Sequence, residues 1–152
     1  MSISQITPNL FITAHPNTSD IKEINKLNIS LIINAIFFPL PQKAIRKSNI
    51  EILSVPSIDS KYTPIPMYVF RKSIIKAVPL IKSGKNVLIY CKQGRHRSVA
   101  IATCILIALG YSIEDAMDLI VQKRPIADPY EPYIKKRIMK FEKLVREGLV
   151  QY

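Results

Sequence analysis

Val87-Leu88-Ile89-Tyr90-Cys91-Lys92-Gln93-Gly94-Arg95-His96-Arg97-Ser98 is the stretch on which the reading of this 152-residue chain turns. Its first half is apolar, the composition of a strand buried on both faces. Its second half is polar, contains Gly94, and opens at residue 97 into an apolar run of helical length. Strand, short loop and helix in that order make an α/β unit. In parallel sheets ligands bind beyond the carboxyl ends of the strands, and Cys91 lies at that junction.

The spacing Cys-x5-Arg-Ser gives this loop a chemistry. A short loop wrapped over a helix N-terminus can aim several backbone N–H groups at one small oxyanion, and the aligned peptide dipoles add to the attraction. Such a field favours a thiolate, the nucleophilic form of cysteine. Arg97 can grip two oxygens of a phosphate with its planar fork, a geometry lysine cannot reproduce. The backbone of Lys92, Gln93, Gly94, Arg95 and His96 is the expected cradle, and Gly94 permits dihedrals that side chains oppose. Ser98 is placed either to steady the departing sulfur or to cap the helix. A cysteine poised under a bound phosphate is a phosphatase arrangement, with turnover through a phosphocysteine intermediate. By average residue usage the pattern arises by chance in about one chain of this size in a hundred. The competing readings are a structural cysteine beside a solvated basic turn and a persulfide-carrying sulfurtransferase, whose loop is usually tighter. Cys104, inside the apolar run 99–109, reads as a small core residue.

Composition bounds the rest. The formal charge is +11, from 22 Lys+Arg against 11 Asp+Glu. Such a field attracts anions, whether phosphoproteins, nucleic acid, inositol phosphates or acidic membranes. A genome-wide leaning toward Lys and Ile would give the same charge, so it does not choose among them. Two cysteines make no disulfide framework, and no Cys/His cluster has zinc-ligand spacing, so no metal or cofactor is expected. Run 99–109 is too short to span a bilayer. Residues 1–5 lack the basic and apolar segments of a secretory leader. The expectation is an intracellular, cytoplasmic chain in a reducing compartment, with residues 1–152 forming one domain.

The chain reads as strands alternating with helices. Strands are expected at 10–13, 31–36, 50–55 and 87–91. Ser19 or Asp20 is expected to cap a helix to about Leu27. Residues 37–42, with Pro39 and Pro41, read as a loop, and 57–66 as a second loop carrying Asp59. A helix over 67–82 contains Pro79, which predicts a kink or an early end. Helix 97–109 stops at Gly110. Ser112 with Asp115 resembles a capping box for a helix to about Lys123. A proline-rich turn over 125–132 leads into a basic amphipathic helix from Glu131 or Pro132 to about Glu147. The pattern predicts a single-domain α/β fold, a central, mainly parallel sheet flanked by helices.

With Cys91, Arg97, Ser98 and the upstream Asp59 in view, the chain resembles the cysteine-dependent dual-specificity protein phosphatases. Residues 6–13 are similar to the family's opening strand, and Val55-Pro56-Ser57-Ile58-Asp59 to its acid-loop segment. Residues 90–100 match the catalytic loop, and 121–125 resemble the family's helix ending in Arg-Pro. Asp59 lies 32 residues before Cys91, close to the family's separation of acid and nucleophile. The resemblance implies that Asp59 protonates the leaving oxygen and then deprotonates the attacking water. Asp128, followed by Pro129, is the rival acid, because low-molecular-weight tyrosine phosphatases use such a pair. Those enzymes carry the nucleophile near the N-terminus. Tyr90 and Thr13 depart from the family, which usually has a histidine and a glycine there.

The implied substrates are phosphotyrosine and phosphoserine/phosphothreonine in phosphorylated proteins. Lys92, Arg95 and His96 make this loop more basic than many of its kind. The Cys-Lys-x-Gly-basic-His-Arg pattern also resembles members acting on inositol pyrophosphates, and relatives act on phosphoinositides or RNA 5′-phosphates. The remaining alternative is a non-catalytic phosphate reader or a nucleic-acid binder. A reader would be expected to lack Cys91, Arg97 or Asp59. A nucleic-acid binder would interleave aromatics with basic residues, and Tyr130 and Tyr133 read instead as packing for the last helix.

Overall fold

The strand that delivers Cys91 is the middle strand of the sheet. A computed structural model describes residues 3–40 and 49–150. Its five strands are β1 (Ser4–Thr7), β2 (Leu10–Thr13), β3 (Ile29–Asn34), β4 (Glu51–Ser54) and β5 (Asn86–Tyr90), in the spatial order β1-β2-β5-β3-β4. β5 runs parallel to β2 on one side, with Thr13 opposite Tyr90, and parallel to β3 on the other, with Asn34 opposite Tyr90. β4 is parallel to β3, and β1 alone is antiparallel, pairing with β2. The four parallel strands therefore end at one level. The loops that leave them there carry His15, Phe37, Asp59 and Cys91.

Val87, Leu88, Ile89 and Tyr90 have no exposed surface. Burial on both faces is why β5 is a continuous apolar run rather than an alternating one. Among the described residues five helices surround the sheet: α1 (Thr18–Lys26), α2 (Met67–Lys82), α3 (Arg97–Ala108), α4 (Ile113–Lys123) and α5 (Pro132–Arg146). α3 is apolar all round because α2, α4, α5 and the sheet enclose it, and every residue from Ser98 to Ala108 is buried. Cys104 is part of that core, and its thiol, wholly enclosed, is pushed well above its ordinary value by burial.

Several boundaries differ from expectation for local reasons. The cap of α1 is Asn17, not Ser19 or Asp20. Its side chain accepts from the Asp20 N–H at 2.9 Å, and Asp20 accepts from the Asn17 N–H at 3.0 Å. Asp20 is thus the returning half of the box. Ser112 accepts from the Asp115 N–H at 3.1 Å, one half of the motif expected there. β3 begins two residues early and stops at Asn34, whose side chain turns back to accept from the Ile36 N–H. Pro79 does not end α2, which continues to Lys82, and its carbonyl accepts from the Ser83 N–H at 3.1 Å and the Ser83 hydroxyl at 2.9 Å. Residues 41 and 42 of the expected 37–42 loop lie outside the described residues. No helix among the described residues is long and apolar enough to cross a membrane.

Candidate active site

Cys91 is the first residue after β5, and it is almost fully enclosed by protein, at 2% exposure. It nevertheless lines a cavity of about 400 Å3 shared with Ser57, Asp59, Lys92, Gln93, Arg95, His96 and Arg97, with Phe37 and Ile58 as its apolar wall. All the residues expected from the loop except Gly94 and Ser98 thus face one space. Those two act from beneath. The Gly94 N–H donates to Sγ of Cys91 at 3.2 Å, and Ser98 Oγ lies 3.1 Å from the same sulfur. Ser98 is not the helix cap, because His96 occupies that position and Ser98 turns its hydroxyl to the thiol.

Gly94 is required where it stands. Its φ is +64°, and a Cβ there would lie 2.5 Å from a terminal guanidinium nitrogen of Arg124 and 2.9 Å from the Thr13 carbonyl oxygen. Arg124 is a site residue that the sequence did not announce. Only 4% exposed, it donates from Nε to the Gly94 carbonyl at 2.7 Å, from a terminal nitrogen to the Gln93 carbonyl at 3.1 Å, and to Ser4 Oγ at 3.0 Å. Burial pushes Arg124 below its ordinary value, and the charge of Cys91 opposes that shift. The signal available was the Arg-Pro step that closes α4, an arginine placed where the chain leaves an apolar helix.

Arg97 begins α3. One terminal nitrogen donates to the Ser57 carbonyl at 2.8 Å, while its Nε is buried with no partner. An unpaired buried guanidinium N–H is costly. Arg97 lines the cavity with Cys91, Lys92 and Arg95, and an anion oxygen bound among them satisfies such a group. The described arrangement can therefore hold a tetrahedral oxyanion with a sulfur nucleophile beneath it.

Residues 10–143 match the family described as "Dual specificity phosphatase, catalytic domain". The chain belongs to that family. It is 23% identical over 143 residues to human Dual specificity phosphatase 28, covering 93% of this chain and 78% of that protein. The crystal structure of human DUSP28 superposes with a TM-score of 0.83 at 22% identity, covering 96% of this chain and 96% of that one. PTPMT1, solved in complex with PI(5)P, shares the fold with a TM-score of 0.83 at 18% identity, over 98% of this chain and 99% of that one. The chain is thus a cysteine-dependent phosphatase, acting on phosphorylated substrates.

In this dual specificity phosphatase Asp59 stands across the cavity from Cys91. Tyr133 donates to its Oδ1 at 2.6 Å, and Nδ1 of His96 lies 3.0 Å from its Oδ2. Burial pushes the Asp59 carboxyl up, but hydrogen bonds from Tyr133 and His96 and the charges of His96 and Arg97 outweigh it. The net effect holds Asp59 below its ordinary value. Tyr133, expected only to pack the last helix, is therefore a site residue. Asp128, the rival acid, is not in the cavity wall. It pairs at 3.9 Å with Arg95, and its N–H bonds the Arg95 carbonyl. Tyr90, the phosphatase's departure before the nucleophile, donates its hydroxyl to the Phe38 carbonyl at 3.3 Å and packs edge-on to His15. Among the described residues one group has metal-ligand proximity: His96, Asp128 and Glu131, with ligand atoms within 4.8 Å of one another. Nδ1 of His96 is engaged by Asp59 and Asp128 pairs with Arg95, while Nε2 of His96 is buried with no partner.

Proposed function

We propose that the phosphatase hydrolyses phosphotyrosine and phosphoserine/phosphothreonine in proteins through a phosphocysteine at Cys91. The observation that carries this reading is that Arg97, whose Nε is buried without a partner, lines one cavity with Cys91. A phosphoryl group there has Arg97 and the N–H groups of the 92–97 backbone for its non-bridging oxygens. Charge grows on those oxygens in the transition state, so preorganised donors act where they are worth most. The thiolate attacks phosphorus as the P–O bond breaks, and Asp59 gives its proton to the leaving oxygen. Water then attacks the phosphocysteine, Asp59 takes its proton, and the sulfur departs beside the Ser98 hydroxyl and the Gly94 N–H. Phe37 and Ile58 form an apolar wall against which the ring of a phosphotyrosine fits.

A second reading keeps the same chemistry for polyanionic phosphates, namely inositol phosphates, phosphoinositides or RNA 5′ ends. Its support is that Lys92 and Arg95 line the cavity beside Arg97, three cations around one space. Both readings place residues 1–152 in one catalytic domain, working intracellularly where Cys91 stays reduced.

The test is a substrate panel with wild type, Cys91→Ser and Asp59→Ala. Cys91→Ser abolishes turnover of every substrate. Asp59→Ala slows phosphotyrosine hydrolysis by about 10²–10⁴ and an activated aryl phosphate much less, since a good leaving group needs no proton. Equal losses on both substrates remove Asp59 from the acid role. Faster turnover of phosphoinositide or triphosphorylated RNA than of phosphopeptides selects the second reading.

A further inference from the structure

Asp59, His96 and Tyr133 come from three separate segments. Tyr133 and Asp59 are 74 residues apart in sequence, and His96 is 37 from each of them. Tyr133 reaches the loop because α5 docks through Ile134, Ile138 and Phe141, spaced i, i+4 and i+7, with Phe141 edge-on to Phe70 of α2. The adjacent residue is then presented at the rim. The same helix fixes the far end of the Asp59 loop, where Nε of Arg137 donates to the Ile65 carbonyl at 2.8 Å. The loop bearing Asp59 is thus held by α5 at two points and by Arg97 at Ser57.

Both oxygens of the Asp59 carboxylate accept a hydrogen bond in this arrangement. Each oxygen keeps a second lone pair, so a leaving-group oxygen approaches most readily at the oxygen whose donor is held less tightly. The two contacts are unequal: Tyr133 is at 2.6 Å, whereas His96 is at 3.0 Å and has a second acceptor, the Tyr133 oxygen, 3.3 Å from the same nitrogen. The His96 contact is the one with an alternative.

We infer that Tyr133 is a positioning residue for the general acid: it anchors Asp59 through Oδ1 and leaves Oδ2, the less tightly held oxygen, to exchange the proton with the leaving group. The inference rests on the reading of Asp59 as that acid. Oδ2 takes a proton from solvent and gives it to the leaving oxygen as the P–O bond breaks, the bond pair staying on that oxygen. It recovers a proton from the attacking water as the S–P bond breaks and its pair returns to sulfur. The groups facing Asp59 are Tyr133, His96 and Arg97, and those facing Tyr133 are Asp59, Glu131, Arg95 and His96. Their effect has a definite sign. Tyr133 stabilises the carboxylate, so removing its hydroxyl raises the pH at which Asp59 loses its proton.

The experiment is the pH profile of kcat/KM on a phosphotyrosine peptide for wild type, Tyr133→Phe and Asp59→Asn. In Tyr133→Phe the basic limb moves up by about half to one pH unit, the worth of one hydrogen bond to a partly exposed charge. Turnover of the peptide also falls relative to an activated aryl phosphate, a split that a general loss of structure would not produce. Asp59→Asn abolishes the basic limb. A limb that persists in Asp59→Asn shows that Asp59 is not the acid, and the underlying reading fails. A limb lost in Asp59→Asn but unmoved in Tyr133→Phe leaves the acid in place and overturns the anchoring role. Should Tyr133→Phe fail to fold, 13C NMR of the Tyr133 ring carbon bearing the hydroxyl decides. Its shift follows the titration of Asp59 in the wild type and loses that step in Asp59→Asn, and a signal that does not respond to Asp59 overturns the inference.

Discussion

Replacing Arg124 by methionine separates the support of the phosphate loop from its chemistry. The side chain keeps an aliphatic stem, so packing changes little, but the bonds to the Gly94 and Gln93 carbonyls and to Ser4 vanish. A hydrogen bond from a charged donor is worth about 1.5–3 kcal/mol, and a buried carbonyl left without one costs about 1–3 kcal/mol. Opposing this, methionine has no guanidinium to desolvate, and burial already pushes Arg124 below its ordinary value. The net expectation is a loss of about 2–4 kcal/mol, a fall in melting temperature of roughly 5–15 °C for a domain of this size. Thermal melting reads that loss. Inhibition by vanadate reads the loop, because carbonyls released from Arg124 can turn toward the cavity and repel an oxyanion. Affinity falls about tenfold or more, equivalent to at least about 1.4 kcal/mol. Arg124→Lys keeps the charge without the fork and falls between wild type and Arg124→Met on both measures. A methionine variant that melts within about 1 °C of wild type and binds vanadate equally well refutes the view that Arg124 holds the loop.

Two further outcomes follow from the same geometry. Gly94→Ala and Gly84→Ala both place a side chain at positive φ, +64° and +80°, but a Cβ on Gly84 meets nothing within 4 Å. Gly84→Ala therefore shows the backbone cost alone, about 1–2 kcal/mol. Gly94→Ala loses more stability and most phosphatase activity, and equal melting temperatures in the two variants would count against crowding by Arg124 and Thr13. Stability against pH separates the two ends of the Asp59–Tyr133 bond. Asp59 is held below its ordinary value of 3.8, so its contribution is present above that pH and is lost as pH falls through the lower folded value. Tyr133 is pushed from 10.0 up to about 12, by burial first and by Asp59 second, so its contribution is full below pH 10 and is lost as pH rises through about 12. Melting curves of Asp59→Asn should converge with wild type in acid, and those of Tyr133→Phe in strong alkali.

What the sequence made legible was what a short stretch of chain determines by itself. β5, the loop after it and α3 are contiguous, so apolar composition, Gly94 and the Cys-x5-Arg spacing predict the strand, the loop and the helix that bring Cys91 and Arg97 to one cavity. Helices failed at their edges where the cap is a matter of one side chain, as at Asn17. Arg124 and Tyr133 were missed for a different reason. Arg124 contacts a loop some 30 residues away and Ser4, 120 residues away, and Tyr133 reaches Asp59 across 74 residues. Nothing in the local pattern of an Arg-Pro step or of Pro132-Tyr133 says which distant backbone it will meet. Only the docking of α4 and α5 around α3 settles that. The sequence allows Ser98 two roles because both are local, and the choice depends on the direction of one hydroxyl.

The direction of the Asp59 shift has a consequence for the proposed mechanism. An acid must be protonated to act, yet Tyr133, His96 and Arg97 favour the carboxylate of Asp59. Substrate reverses the balance. A phosphate on the loop neutralises Arg97 and sets new negative charge beside Asp59. Two like charges about 5 Å apart in an effective dielectric of about 20 repel by roughly 3 kcal/mol. That is equivalent to about two pH units on the carboxyl. The proton is thus acquired when the anion is present and the thiolate has a target. Once the leaving group has gone, carrying the proton away, the carboxylate is held by Tyr133 through Oδ1, and Oδ2 is ready to accept a proton from water. A neutral, latch-free aspartic acid would serve the first step and oppose the second. The contacts of Tyr133 and His96 make one residue competent for both, because they stabilise the form that each turnover must return to.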